Sequence, residues 1–253
     1  MDKKIWIFIG LVIVVLVGVI FLNKGKAEPN TISAEQIELF DAGHIIDAES
    51  LPAGFDNSGA TPSTTADNVY DNWSGNRNAK VTLIELGDFA CSHCAQYNPI
   101  LEVAREKYQD DIAFIFRYYV LGNQGANGPA AAVAVEAAAR QDKFWEMHNA
   151  VFENQDAWFY SSASDRKGIF QIYAEQVGLD VDKWSKDYDA YQTNGINTKI
   201  NFQKALSSAN FDIQGTPTLI INGHQLDSNN EEEVWTTQEK LNALIEKYIA
   251  ESE

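Results

Sequence analysis

Cysteine occurs only twice among the 253 residues of this chain, and basic side chains are outnumbered by acidic ones. Two cysteines cannot build a scaffold of several disulfides, so the fold must be stabilised by packing. Lysine and arginine number 19 against 36 aspartates and glutamates, which gives a net charge of −17. Proteins that bind nucleic acid need basic surface for phosphate, so this charge argues against a nucleic-acid partner.

Charge is also missing from a run near the N-terminus. Residues 5–22 are all apolar or glycine, and lysines flank the run on both sides. As a helix the run would be about 27 Å long, close to the roughly 30 Å hydrocarbon core of a bilayer. A secretory signal usually has a shorter apolar region of about 7–15 residues, so residues 1–27 are predicted to be a retained single-pass membrane anchor. Cleavage near Ala27 is the alternative, and it would leave a secreted or periplasmic protein.

The basic tail before the apolar run favours an extracytoplasmic location for the remainder, where disulfides persist. Residues 28–67 have few sustained apolar patterns and several turn-forming residues, which is typical of a stalk or linker. A folded domain is predicted over 68–253. Within it, the apolar run at 81–86 indicates a strand buried on both faces, and a helical pattern and a second apolar run at 111–121 complete a βαβ unit.

A different sequence pattern follows the βαβ unit. Residues 126–208 carry successive amphipathic helical patterns and begin with a Gly-Pro pair suited to a first helical turn. The stretch "TPTLIINGHQLD" then predicts a hairpin that turns at Asn222 and Gly223, and an amphipathic helix closes the chain. The pattern therefore predicts an α/β domain with an inserted all-helical subdomain.

The two cysteines lie three residues apart, in "FACSHCAQYNP", at the point where a strand ends and a helix begins. At a helix N-terminus the free backbone N–H groups and the helix dipole stabilise a thiolate at Cys91. His93 is expected to add a cation or a donor. Cys94, one turn further, is expected to be more buried and less ionised. This asymmetry suits a dithiol that exchanges with other disulfides.

Two other interpretations of the cysteine pair, a metal site and a structural disulfide, have less support. Structural zinc normally takes four ligands, and the remaining histidines, His44, His148 and His224, are scattered along the chain, so no metal site is predicted. His148 lies on an apolar helix face and is interpreted as a packed core residue. A purely structural disulfide across so short a loop would remove little chain entropy. Redox exchange is therefore the favoured interpretation.

Three blocks carry a resemblance to a known family: "VTLIELGDFACSHC", "FWEMHNAVFENQ" and "GTPTLIING". A CxxC motif at the start of a helix after a buried strand looks like thioredoxin. The helical insertion and the order of the blocks, over about residues 68–250, resemble the membrane-anchored DsbA-like thiol-disulfide oxidoreductases. The resemblance implies a thioredoxin fold preceded by an N-terminal transmembrane helix. The chain departs from the usual Cys-Pro-His-Cys motif at Ser92, which is predicted to lie on the substrate side of the site.

The resemblance also implies roles for individual residues. Cys91 would be the reactive cysteine and Cys94 the resolving one. Thr216 and Pro217 match the residue pair that contains the family's cis-proline, which lies opposite the dithiol and offers backbone groups to substrate. Glu85 matches a buried acid that exchanges a proton with Cys94. From the sequence alone, Glu85 could instead be a strand residue that faces solvent.

The expected function is the introduction of disulfides into exported proteins, with the Cys91–Cys94 disulfide as the redox group and no other cofactor. The implied partners are reduced, unfolded exported polypeptides and a quinone-linked membrane reoxidase of the DsbB or VKOR type. One alternative is a disulfide isomerase or reductase. Another is a non-catalytic thioredoxin-like chaperone or binding module, although binding alone needs no dithiol.

Overall fold

The computed structural model describes residues 34–47, 50, 69–121, 127–194, 196–226 and 237–252. These residues belong to one compact unit, Ile32–Glu253. Its centre is a five-stranded sheet of order β1-β3-β2-β4-β5, in which only β2 and β3 are parallel among the described strands. The strands are β1 (Asn72–Gly75), β2 (Val81–Gly87), β3 (Ile112–Tyr118), β4 (Thr218–Ile221) and β5 (His224–Gln225).

The helices of the described residues fall before, within and after the sheet. In the described part of the chain between β3 and β4, six consecutive helices, α3 to α8, form the insertion. In chain order the helices are α1 (Ala34–Ile37), α2 (Ser92–Lys107), α3 (Asn127–Ala139), α4 (Phe144–Glu153), α5 (Gln155–Phe159), α6 (Ala163–Gln176), α7 (Val181–Asn194), α8 (Ile196–Asn210) and α9 (Gln238–Ser252). The predicted thioredoxin-like fold with a helical insertion is confirmed.

Strand β2 is buried on both faces, as its continuous apolar run predicts. Leu83 packs in one cluster with α2 and α9, whereas Ile84 packs on the opposite face with Ile115 of β3 and Ile220 of β4. Because β2 and β3 run parallel, α2 forms the crossover between them. The end of β2 therefore delivers the chain directly to the cysteines.

The predicted hairpin joins β4 to β5. Asn222 and Gly223 have φ angles of 47° and 76°, the left-handed conformation that a two-residue hairpin turn requires. The Asn222 side chain also accepts a hydrogen bond from the Thr82 backbone at 2.7 Å and donates one to the Lys80 carbonyl at 3.1 Å. This turn is therefore tied to the start of β2 and holds β4 in register beside it.

The sequence predicts a loosely ordered extension over 28–67, whereas its described part packs against the domain. Ile37, Phe40 and Ile46 are buried with Phe202 and Leu206 of α8. Within the described residues no helix is long and apolar enough to cross a membrane. The anchor predicted for 1–27 lies outside the described residues.

A buried arginine holds this N-terminal segment in place. Arg117 of β3 forms a two-pronged ion pair with Asp71, with donor–acceptor distances of 2.8 and 2.6 Å, and both side chains are fully buried. The same guanidinium donates to the carbonyls of Ala42 and His44, and Asp71 accepts the Ile46 N–H at 2.9 Å. The buried guanidinium of Arg117 thus provides hydrogen bonds to backbone carbonyls of the N-terminal segment.

Replacing Arg117 with alanine is expected to cost about 3–5 kcal/mol of unfolding free energy, because it leaves the Asp71 charge buried without its partner. Urea unfolding measures this loss, and limited proteolysis should cut the segment 34–47 faster. Lys143→Ala is the matched control, since its ion pair with Glu146 is roughly half exposed and should contribute less than about 1 kcal/mol. Equal losses in the two variants would contradict the assigned role of Arg117.

Candidate functional site

The dithiol lies at the junction of sheet and insertion. Cys91 has an extended backbone, with φ −83° and ψ 121°, and immediately precedes α2, whose first turn contains Cys94. Both residues are free thiols, Cys91 with 5% of its surface exposed and Cys94 with none. They share a buried cluster with Phe89 and with α3, so the insertion packs directly against them. The predicted difference in burial is present, although Cys91 is also largely covered.

The two thiols have opposed acidities. A hydrogen bond from the Cys94 thiol, helped by the backbone N–H groups of Cys94 and His93, lowers the pKa of Cys91 to about 5 against the opposing effect of burial. Burial is the main cause that raises the pKa of Cys94 well above its ordinary value, and the nearby Cys91 and Glu85 add to it. At neutral pH Cys91 is therefore a thiolate and Cys94 a thiol.

Thr216, the first of the residue pair that the resemblance places opposite the dithiol, lies against the reactive sulfur. The peptide bond between Thr216 and Pro217 is cis. The Thr216 carbonyl is 3.2 Å from the Cys91 sulfur and accepts a hydrogen bond from its thiol form. The start of β4 therefore lies opposite the helix N-terminus, with Cys91 between them.

Glu85 is fully buried on β2, which removes the solvent-facing alternative. Neither of its carboxyl oxygens has a hydrogen-bond partner among the described residues. Burial, with a smaller contribution from the Cys91 charge, raises the pKa of Glu85 to about 8. A carboxyl group with such a pKa holds its proton at neutral pH and releases it in slightly alkaline solution, a property suited to proton transfer.

Ser92 and His93 are exposed on the first turn of α2. The hydrogen bond that His93 makes toward the Cys91 sulfur comes from its backbone N–H. The expected contribution of the imidazole itself stays a prediction. His148, by contrast, is buried among aromatic rings that include Phe89 and Phe116, and burial lowers its pKa to about 3. Its interpretation as a packed core residue is confirmed.

Two further polar residues at the site are not predicted by the sequence reasoning. Asp88 is buried, and its two carboxyl oxygens accept the backbone N–H groups of Ala90 at 2.9 Å and Leu121 at 2.8 Å. Gln155 of α5 donates to the carbonyls of Phe89 at 2.7 Å and Cys91 at 3.0 Å. The Asp88–Ala90 contact is the turn that aspartate commonly forms with the residue two positions on, a local signal that could have identified it.

The chain is similar in sequence to parts of longer proteins. It is 29% identical to the Na(+)/H(+) antiporter NhaA 1 of Mycolicibacterium vanbaalenii over 60% of its length, and 32% identical to NhaA 1 of Salinispora arenicola over 61%. The matched parts amount to 23% and 22% of those proteins. The chain therefore spans less than a quarter of the length of these relatives, and ion antiport belongs to the longer proteins.

Solved structures share the fold. BdbD from Bacillus subtilis in its oxidised form has a TM-score of 0.58 at 21% identity, covering 71% of this chain and 93% of that one. Alpha-DsbA1 from Wolbachia pipientis has a TM-score of 0.58 at 22% identity, covering 78% and 98%. MdbA from Actinomyces oris, a thiol-disulfide oxidoreductase, has a TM-score of 0.60 at 17% identity, covering 76% and 92%.

A family model described as thioredoxin matches residues 67–247. This match includes the whole sheet, the dithiol, the helical insertion and most of the terminal helix. The chain belongs to the thioredoxin family, with the fold of thiol-disulfide oxidoreductases of the DsbA type.

Proposed function

We propose that the protein is an exported thiol-disulfide oxidoreductase that introduces disulfides into extracytoplasmic proteins through Cys91 and Cys94. The observation that carries this proposal is the opposed acidity of the two thiols. A stable Cys91 thiolate stabilises the reduced dithiol relative to the disulfide, and this makes the oxidised enzyme a stronger oxidant. A reductase needs the reverse bias.

The first step begins with the Cys91–Cys94 disulfide. A substrate thiolate attacks the Cys91 sulfur, the enzyme disulfide breaks, and the electron pair leaves on Cys94. Because Cys94 is buried and a poor thiolate, it must gain a proton as it leaves. We assign this proton to Glu85, whose carboxyl group is protonated at neutral pH and lies near enough to raise the pKa of Cys94. Because no direct hydrogen bond joins the two side chains, the proton passes through an intervening water.

The second step releases the substrate. A second substrate thiolate attacks the substrate sulfur of the mixed disulfide, and Cys91 leaves as its stable thiolate. The substrate gains a disulfide and the enzyme dithiol gains two electrons. We assign the extended substrate to the side lined by Ser92, Thr216 and Pro217, because the Cys91 sulfur lies between α2 and the start of β4.

We extend the proposal to the location of the protein and to its partners. We propose that residues 5–22 anchor the protein in the cell membrane and that the domain lies outside, where reduced exported polypeptides are its substrates. The two electrons then pass to a quinone-linked membrane reoxidase of the DsbB or VKOR type. Retention in washed membranes would support the anchor, whereas complete release into the soluble fraction would support cleavage near Ala27.

Titration of the Cys91 thiolate tests the direction of exchange. Thiolate absorbance near 240 nm, followed against pH in the reduced protein, is expected to give a pKa of about 5. Equilibration with glutathione buffers should give a potential well above the roughly −270 mV of thioredoxin. A pKa near 8 together with a strongly reducing potential would overturn the oxidase proposal and leave a reductase.

The same shift predicts a pH-dependent stability of the reduced protein. The folded-state pKa of Cys91 lies below its unfolded-state value of 9.0. The thiolate contribution is therefore complete above about pH 9 and is lost as the pH falls through about 5. Unfolding of the reduced protein, with Cys91→Ser as the reference, measures this contribution.

A further inference from the structure

The backbone on the N-terminal side of the reactive sulfur is held by two side chains. The amide group of Gln155 donates one N–H to the Phe89 carbonyl and the other to the Cys91 carbonyl, across 66 and 64 residues of chain. Between these two carbonyls, the Ala90 N–H is bound by the Asp88 carboxyl group. Two carbonyl groups and one N–H group of residues 89–91 are thus held by side-chain hydrogen bonds.

Gln155 and Asp88 also link residues 89–91 to the helical insertion. Gln155 is the first residue of α5, and Asp88 also accepts the N–H of Leu121, just beyond β3. Gly128 of α3 approaches Asp88 so closely that a Cβ at that position would lie 2.3 Å from the carboxyl oxygen. The insertion therefore contacts residues 88–91 through the Gln155 side chain and through the backbone of Gly128.

The direction of the Cys91 carbonyl matters for the sulfur. The same carbonyl accepts the Ala95 N–H at 3.2 Å, so it faces along α2, and the N–H groups of His93 and Cys94 remain directed at the sulfur. The Cys91 carbonyl shares a rigid peptide plane with the Ser92 nitrogen. Without Gln155 the Cys91 carbonyl would be held by the Ala95 N–H alone, and the added freedom of this plane would let the carbonyl dipole turn toward the sulfur and destabilise the thiolate.

We propose that Gln155 is a positioning residue through which the helical insertion orients the Cys91 backbone and thereby sets the redox potential of the dithiol. The proposal rests on the exchange function proposed above and extends it to the insertion. Gln155 touches backbone carbonyls rather than the sulfur, so its effect on exchange is indirect. Its geometry also explains why a glutamine is suited to the position, because its NH₂ group can donate to two acceptors at once.

Gln155→Met tests the proposal, since methionine is of similar length but donates no hydrogen bond. We expect the acid dissociation constant of Cys91 to fall about tenfold, which is one pKa unit and corresponds to a potential lower by about 30 mV. Gln155→Glu should shift both quantities further in the same direction, because an ionised carboxylate cannot donate and adds negative charge near the thiolate. Gln176→Ala, an exposed glutamine at the end of α6, is the control and should change neither.

Thermal unfolding of each variant separates positioning from stability. A lower Tm with unchanged pKa and potential in Gln155→Met would overturn the proposal, because it would assign the residue a purely structural role. Should that variant not fold, Gln155→Leu, which likewise donates no hydrogen bond and adds no charge, decides by the same two quantities. A Cys91 pKa near 8 in the wild-type protein would instead refute the oxidase function. That outcome can be told apart from failure of the Gln155 proposal, in which the wild type has the expected pKa and Gln155→Met shares it.

Discussion

Replacing Cys91 with serine is expected to abolish disulfide exchange, whereas replacing Cys94 should leave a thiol that forms mixed disulfides and cannot resolve them. At pH 7, a thiol of pKa about 5 is almost wholly thiolate, whereas one with the ordinary value of 9.0 is about 1% thiolate. This difference alone is about a hundredfold in reactive species. Burial of Cys94 adds to the contrast, because none of its surface is exposed.

Alkylation and mass spectrometry measure this asymmetry. In the reduced protein at pH 6, iodoacetamide should modify Cys91 at least about a hundred times faster than Cys94. Incubation of Cys94→Ser with a disulfide-containing peptide should yield a persistent adduct at Cys91, and Cys91→Ser should yield none. Cys91→Ser with the full cellular activity of the wild type would contradict an exchange mechanism and support the binding-module alternative.

Parts of this site could be predicted from the sequence because their signals are local. The apolar run of β2, the CxxC spacing and the Asn222-Gly223 turn each depend on a few neighbouring residues. The position of the cysteines at a helix N-terminus follows from those elements. The family resemblance added Thr216, Pro217 and Glu85, which no local pattern links to the dithiol.

Other parts depend on contacts between distant segments. Gln155 reaches the Cys91 carbonyl across 64 residues, and in the sequence it is one polar residue at a helix boundary. Arg117 interrupts an apolar strand in the sequence, and its fully buried partner Asp71 is 46 residues away. The polar β1 strand, Asn72–Gly75, gains its place by pairing with β3 rather than by its own composition. Such residues carry no periodic signal that sequence reasoning can use.

Glu85→Gln is expected to slow the reaction of the oxidised enzyme with substrate thiolate while stabilising the reduced protein. The amide cannot donate the proton that Cys94 needs on leaving, and loss of a general acid typically costs about a hundredfold or more. The wild-type rate, normalised to the concentration of substrate thiolate, should fall as the pH rises through the pKa of Glu85, which burial, the main cause of its shift, raises above the ordinary value in the oxidised enzyme as well. In the variant this fall should be absent. Stopped-flow fluorescence across pH 6–9 measures both effects.

The stability effect has the opposite sign and follows from the same pKa. Because the folded-state pKa of Glu85 is raised from 4.5 to about 8, the unfolded chain loses this proton first as the pH rises. The reduced protein should therefore lose stability between about pH 4.5 and 8, by about 5 kcal/mol in total and about 3 kcal/mol by pH 7. Glu85→Gln should unfold at higher urea concentration than wild type at pH 7, and the two should converge near pH 4.

Glu153→Gln is the matched control, since it makes the same change on an exposed carboxylate at the end of α4 and should alter neither rate nor stability. A slower rate with lower stability in Glu85→Gln would indicate damaged packing rather than a lost proton donor. A stabilised variant with an unchanged rate would contradict proton transfer by Glu85, and water or another group would then have to protonate Cys94. Slower exchange in a more stable protein is the combination that proton donation predicts, because the buried carboxyl that destabilises the fold is the group that serves the leaving sulfur.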